Sequence, residues 1–267
     1  MTVFGLSDVG AVRDHNEDSY RIVRLAENAV LAVVCDGMGG LSRGEIASAL
    51  SADTFVNTVK RICGLKTENN RLSLSDQEAF LALSNAATRA NNAVVEYRAS
   101  HPDAGEMGTT LVAAIICRGK SGASVSWINV GDSRIYTVDH RDILQVSRDH
   151  SYLQYMIDTG EITPEEAKQC QRNGVITRAI GIEERVEPDI DTFILNENEC
   201  AMTHVYLCSD GFSSALPEEH CMSVINDSTR TPREKAERLV KDARDADGSD
   251  NITMILIDLK GDQYGEL

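Results

Sequence analysis

Short apolar runs rich in β-branched residues, each broken by Asp, Gly or Asn, open the chain and predict strands near 2–9, 18–25 and 29–36. Two longer stretches follow, from about Gly44 to Arg61 and from about Asp76 to Ala99, whose apolar residues return at helical spacing. Ser42 with Glu45 and Ser75 with Glu78 supply capping boxes at their starts. A second strand block is predicted near 109–117, 123–130, 133–138 and 143–146, with Gly131-Asp132 reading as a tight hairpin connection. Between 148 and 187 the pattern turns irregular, with short helical pieces and a capped start at Thr163-Pro164-Glu165-Glu166, which suits an inserted mobile flap. Strands resume near 190–195 and 203–208, a helix begins at Thr231-Pro232, and a last strand covers about 252–259. Strand and helix blocks that segregate in this way predict an antiparallel α+β sandwich rather than a doubly wound sheet. With no repeat, linker or low-complexity tract, 1–267 is read as a single domain.

The strand pattern repeatedly delivers an aspartate to a strand boundary: Asp18, Asp36, Asp132, Asp210 and Asp250 all border apolar runs. One Asp-Gly or Gly-Asp pair is ordinary turn chemistry. Five acids that a sheet can bring to one edge repel each other unless cations hold them, so the pattern predicts a site for divalent metals. Arg13 stands four residues before Glu17 and suits an anionic substrate, since a guanidinium can grip two phosphate oxygens. A purely structural Arg13–Glu17 pair is the plainer alternative.

Composition narrows the choices. A net charge of −16 argues against nucleic acid as a partner, because a phosphate backbone calls for clustered Lys and Arg. No apolar run reaches the roughly 20 residues needed to span a bilayer, and the first residues carry no basic-then-apolar leader, so a cytoplasmic protein with no membrane contact is expected. Seven cysteines without a C-x-x-C pair fit neither a disulfide framework nor a zinc knot, and Cys35, Cys117 and Cys208 read as buried apolar residues. No cysteine has an arginine six positions later, which removes a cysteine-based phosphatase. "DADGSDN" imitates a calcium loop, but its glycine is fourth and Leu256 occupies the twelfth position, where an EF-hand needs glutamate.

The segments "DVGAVRDHNEDS", "CDGMGG" with "GEIA", "MGTT", "NVGDSR", "ITRAIG", "LCSDG" and "SDNIT" resemble, in order and across about 5–258, the motifs of the bacterial metal-dependent Ser/Thr phosphatases of the PPM, or type 2C, family. The resemblance implies a central β-sandwich of two antiparallel sheets flanked by helix pairs. It also implies hydrolysis of phosphoserine and phosphothreonine by in-line attack of a hydroxide bridging two Mn²⁺ or Mg²⁺ ions about 4 Å apart. On that resemblance Asp36 bridges the two metals with the Gly37 carbonyl as a further ligand, while Asp210 and Asp250 hold the first metal. Asp18 serves the second with Glu17 behind it, and Asp132 joins Asp210 at a third, weaker site. Arg13 takes the substrate phosphate and Asn251 steadies Asp250.

The implied partners are phosphorylated proteins, substrates of a cognate bacterial Ser/Thr kinase, and a monomer is expected. Two departures stand out. Met38 occupies the place where many eukaryotic members carry a histidine general acid, which leaves a metal-bound water as the hypothesis. His15 reads as a surface or supporting residue, and His150 opens the flap. "QCQRNGVITRAIG" lacks the usual His-Pro before the arginine and has Gly174 where an asparagine is usual, so the flap's substrate contacts stay open. A phosphoprotein-binding pseudophosphatase and an antagonist phosphatase of a sigma-factor pathway are the alternatives. The first would have lost a ligand, and none is missing.

Overall fold

The computed structural model describes residues 1–39, 43–120, 122–167, 174–196 and 203–260. In chain order these form β1 (Thr2–Asp8), β2 (Asp18–Ala26), β3 (Ala29–Gly39), α1 (Arg43–Gly64), a small β4 (Thr67–Glu68) and β5 (Arg71–Leu72) ribbon, and α2 (Asp76–Ser100). Next come β6 (Met107–Thr109), β7 (Leu111–Arg118), β8 (Gly122–Val130), β9 (Arg134–Val138), β10 (Ile143–Gln145), α3 (Tyr152–Asp158) and α4 (Pro164–Ala167). The chain continues through β11 (Asp189–Asn196), β12 (His204–Cys208), α5 (Asp210–Ser213), α6 (Glu218–Ile225), α7 (Pro232–Ala246) and β13 (Ile252–Asp258).

Strand alternation dictates the layers. Along β3, Val30, Ala32 and Val34 face one apolar cluster while Leu31, Val33 and Cys35 face another. The first cluster adds Ile255 and Ile257 of β13 and Val205 and Leu207 of β12, and so lies between two sheets. The second adds Phe55 and Val59 of α1 and Leu83 and Ala87 of α2. A third joins the outer face of β12 and β13, through Tyr206, Met254 and Leu256, to Leu239 and Val240 of α7 and Cys221 of α6. The result is helices, sheet, sheet, helices. One sheet runs β1-β13-β12-β9-β10 and the other β11-β8-β7-β3-β2 with β6 on β3, and their paired strands are antiparallel. The antiparallel α+β sandwich expected from the sequence is therefore observed.

Local signals are also borne out. Ser75 and Glu78 close a capping box on α2, as do Thr231 and Glu234 on α7 and Thr163 and Glu166 on α4. The cap expected at Ser42 lies outside the described residues. Cys35, Cys117 and Cys208 are buried in the cores, as expected. Among the described residues no helix is long and apolar enough to cross a membrane.

One expectation fails. Gly131-Asp132 is not a hairpin: β8 pairs with β7 and β11, whereas β9 pairs with β12 and β10 in the opposite sheet. The turn carries the chain across the sandwich, with Gly131 at φ +106° and its Cα side filled by Thr110. Helix α6 also appears where no element was predicted, with Pro217 before it and Glu218 and Glu219 in its first turn.

Phe55 is fully buried between α1 and the sheet. Replacing it with alanine should lower stability by about 3–5 kcal/mol. A urea midpoint unchanged by Phe55→Ala would mean that α1 does not seal this core.

Candidate functional site

The aspartates converge because strand boundaries from both sheets meet at one end of the sandwich. Asp18 opens β2 and sits directly across from Asp36 of β3 in the strand register, a like-charged pairing that sheets normally avoid. Asp132 lies in the sheet-crossing turn, Asp210 starts α5 at the end of β12, and Asp250 lies just before β13. A cleft of about 480 Å³ is lined by Arg13, Glu17, Asp36, Gly37, Asp132, Asp210 and Asp250, with Asp18 buried beneath it at 8 % exposure. Every acid predicted from the sequence is thus at or under one cleft.

Main-chain anchoring fixes Asp36. Its N–H donates to Thr110 Oγ1 (2.9 Å), and its carbonyl accepts from the Thr110 N–H and the Thr109 hydroxyl, both at 2.8 Å. Burial, followed by the charges of Asp18 and Asp210, drives the Asp36 carboxyl well above its usual range, with hydrogen bonding to Asp210 adding to the rise. Burial also raises Asp210, offset first by that shared hydrogen bond. Asp18 accepts from Ser209 Oγ at 2.8 Å through one oxygen, while the other, Oδ1, is buried with no hydrogen-bond partner. Burial pushes Asp18 up to about 7, with Asp210 and Asp250 adding to the shift and the Thr253 and Ser209 hydroxyls opposing it. Asp132 is likewise pushed up to about 7 by burial, then by Asp210 and Asp149, with Arg134 opposing.

The cationic side is lighter. Arg13 Nη2 donates to Asp250 Oδ2 at 2.9 Å in an exposed pair, so its partner is Asp250 rather than the Glu17 suggested by sequence spacing. Glu17 is raised by burial and eased by the Gly44 N–H at the start of α1 and by Arg13. That contact requires glycine on both sides: a Cβ on Gly37 would collide with the Gly44 carbonyl, and one on Gly44 would lie 2.8 Å from the Glu17 carboxyl carbon. Asn251 does more than was expected of it. Its backbone N–H donates to Asp250 Oδ1, while its side chain donates to the carbonyls of Val9 and His15 and accepts from the Glu17 N–H, clamping the whole loop that carries Arg13. His15 is exposed and takes part through that carbonyl.

The donor set fits hard divalent cations. It consists of carboxylates and a nearby carbonyl, with no imidazole or thiol among the described lining residues, and the partnerless Asp18 Oδ1 is a buried acceptor in search of positive charge. Among the described residues no three Asp, Glu, His or Cys side chains are drawn in at the spacing that would cage an ion. The nearness of Asp210 instead raises the Asp36 carboxyl further.

Sequence reading missed the residues that hold the acids. Thr109, Thr110 and Ser209 lie inside the quoted motifs, where a hydroxyl beside an acid was the available signal. Ser133 Oγ contacts Thr110 Oγ1 at 2.7 Å, so the turn bearing Asp132 and the strand bearing Asp36 share one hydroxyl pair. Arg134 forms a two-pronged pair with Asp149, with Nη2–Oδ2 at 2.7 Å and Nε–Oδ1 at 2.9 Å, beside Asp132. From the flap, Gly174 and Ile176 reach the cleft, while 168–173 lie outside the described residues.

Comparison with known proteins follows the same residues. The Protein phosphatase 2C family profile matches residues 11–243. Over 259 residues the chain is 34% identical to the serine/threonine phosphatase stp of Listeria monocytogenes, covering 97% of this chain and 96% of that protein. It is 32% identical over 266 residues to the serine/threonine protein phosphatase PstP of Mycobacterium tuberculosis, covering 97% of this chain and 45% of PstP. The crystal structure of serine/threonine phosphatase Stp1 from Staphylococcus aureus superimposes with a TM-score of 0.83 at 31% identity, over 97% of this chain and 95% of Stp1. With the match running through the loop of Arg13, both sheets and the acidic cleft, the chain belongs to the protein phosphatase 2C family.

Proposed function

We propose that this protein is a metal-dependent serine/threonine protein phosphatase that hydrolyses phosphoserine and phosphothreonine in other proteins. The observation that carries this reading is the gathering of Asp18, Asp36, Asp132, Asp210 and Asp250 around one cleft, with Arg13 the arginine that lines it among the described residues. Such an excess of carboxylate is costly unless cations join it. Asp36, the Gly37 carbonyl, Asp210 and Asp250 would hold two Mn²⁺ or Mg²⁺ ions, with Asp18 and Glu17 behind them and Asp132 with Asp210 at a weaker third position. When bound, these cations supply the charge that acidifies water for attack on phosphorus and offsets the phosphoryl oxygens.

The chain's own residues account for the rest. Arg13 is exposed and tied to Asp250 by a surface pair whose net strength is no more than about 1 kcal/mol, so a phosphate dianion can take over the guanidinium at little cost. That exchange leaves Asp250 free to serve a cation, with Asn251 holding its backbone and the Arg13 loop in register. No histidine lines the cleft among the described residues, and Met38 occupies the rim, so the proton for the departing serine or threonine oxygen is delivered by water. The flap residues Gly174 and Ile176 face the same space and would meet the polypeptide around the phosphosite. Phosphorylated proteins made by a cognate Ser/Thr kinase are the substrate class, and a cytoplasmic monomer is the form in which the protein would act.

Purified protein should cleave a phosphothreonine peptide with Mn²⁺ present and stop on chelation, and Asp36→Asn or Asp210→Asn should abolish turnover. Wild-type inactivity with cations demonstrably bound would favour a phosphoprotein-binding module instead. Asp132→Asn should slow turnover while two cations still bind by calorimetry, and loss of all cation binding would contradict that division. The acids also set a pH dependence. Asp18 and Asp132 bind protons up to about 7 in the folded state but only to about 3.9 unfolded, so chelated protein loses stability as pH rises through that interval. Its melting temperature should be lower at pH 8 than at pH 6, and Mn²⁺ should restore more at pH 8. Equal melting temperatures at both pH values would contradict the buried-acid account.

A further inference from the structure

We propose that His150 is a positioning residue for Asp132, acting through the peptide group of Gly131. The inference rests on the reading above that Asp132 serves the site, and adds what holds it there.

His150 grips Gly131 twice. Its backbone N–H donates to the Gly131 carbonyl at 2.9 Å, and its ring Nδ1 accepts the Gly131 N–H at 3.2 Å. An Nδ1 that accepts leaves the ring hydrogen on Nε2, which lies 3.2 Å from Asp189 Oδ2 and 3.1 Å from Arg178 Nη1, so Nε2 donates to the carboxylate while the guanidinium packs beside it. Asp189 is held in turn by Arg178, whose Nη1 lies 2.9 Å from Oδ1. The ring is therefore backed by the Asp189–Arg178 pair, whose carboxylate sits on β11, the edge strand of its sheet. The His150 carbonyl accepts from the Thr177 N–H at 2.7 Å, so the same residue also anchors the returning limb of the flap.

Asp132 sits between two fixed points. Before it, Gly131 is pinned by His150, and after it, Ser133 is pinned to Thr110, the residue that also holds Asp36. Gly131 has little freedom to adjust, since its φ is +106° and a Cβ there would lie 2.7 Å from the Thr110 methyl carbon. Loss of the Nδ1 acceptor would strand a buried N–H one residue from the carboxylate and release the turn. His150 is 6 % exposed and does not line the cleft, so its effect is indirect.

Two substitutions separate the ring nitrogens. His150→Asn keeps an acceptor near the Nδ1 position and loses the link to Asp189, whereas His150→Gln keeps a donor near Nε2 and abandons Gly131. With folding of both checked by melting, His150→Gln should lower kcat for a phosphopeptide roughly tenfold with little change in KM, and speed hydrogen exchange at the Gly131 amide. His150→Asn should retain most of both. Adding His150→Gln to Asp132→Asn should cause no further loss. Equal behaviour of the Asn and Gln variants, or additive losses in the double variant, would overturn the inference. If Asp132→Asn slows turnover and His150→Gln does not, this inference alone fails. If Asp132→Asn itself leaves kcat unchanged, the role given to Asp132 in the site fails instead.

Discussion

Electrostatic repulsion among carboxylates at one end of the sandwich is the constraint to which the rest of this structure answers. Asp18 and Asp36 face each other across neighbouring strands, Asp210 and Asp132 close in from the other sheet, and Asp250 completes the set. Donors around them are mostly neutral: the hydroxyl of Ser209 and the backbone N–H groups of Gly44 and Asn251. The half-buried Arg134 nearby is committed to Asp149, and the exposed Arg13 is only loosely held at Asp250. Arginines in place of these neutral donors would form a quieter ion-pair network. Among the described residues the negative charge of the cleft is left largely uncompensated, which is the property a cation site requires.

Keeping such a cluster folded demands a rigid frame. Two apolar faces per sheet, three cores and antiparallel registers supply it, and the site-bearing loops cross where glycine permits contact. The Gly37–Gly44 approach puts an α1 amide on Glu17, and at Gly211 a Cβ would collide with the Asn251 carbonyl, so α5 and the Asp250 loop meet without a spacer. Instability stored at the acids is thereby balanced by burial elsewhere, the usual arrangement when a functional site works against stability.

Much of this was legible in the sequence. The unbroken apolar run in "AVLAVVCDG" marks the strand that carries Asp36, although β3 runs on to Gly39 by pairing with β6; three capping boxes mark helix starts, and the acids were identifiable because each borders an apolar run. What stayed hidden depends on pairing between distant segments. Gly131-Asp132 carries the same local signal whether the chain folds back on its own sheet or crosses to the other, and only the partners of β8 and β9 decide. Asn251 looked like a support for its neighbour, yet its side chain works on residues more than 230 positions away. His150 carried no sign in the local sequence that its ring would meet Gly131. Arg13 was placed at the right cleft, but the acid it rests against, Asp250, lies 237 positions along the chain, where spacing within the loop could not point.

The central claim, that carboxylates crowded enough to retain protons near neutrality exchange them for divalent cations, is tested most directly by calorimetric titration of Mn²⁺ into chelated protein. Running the titration in buffers of different ionisation enthalpy yields the number of protons released. The account predicts clear proton release at pH 6 that is smaller by about pH 8.5, because Asp18 and Asp132, pushed up to about 7, are then already ionised and contribute none. Cation binding without proton release at either pH, or no cation binding at all, would contradict it.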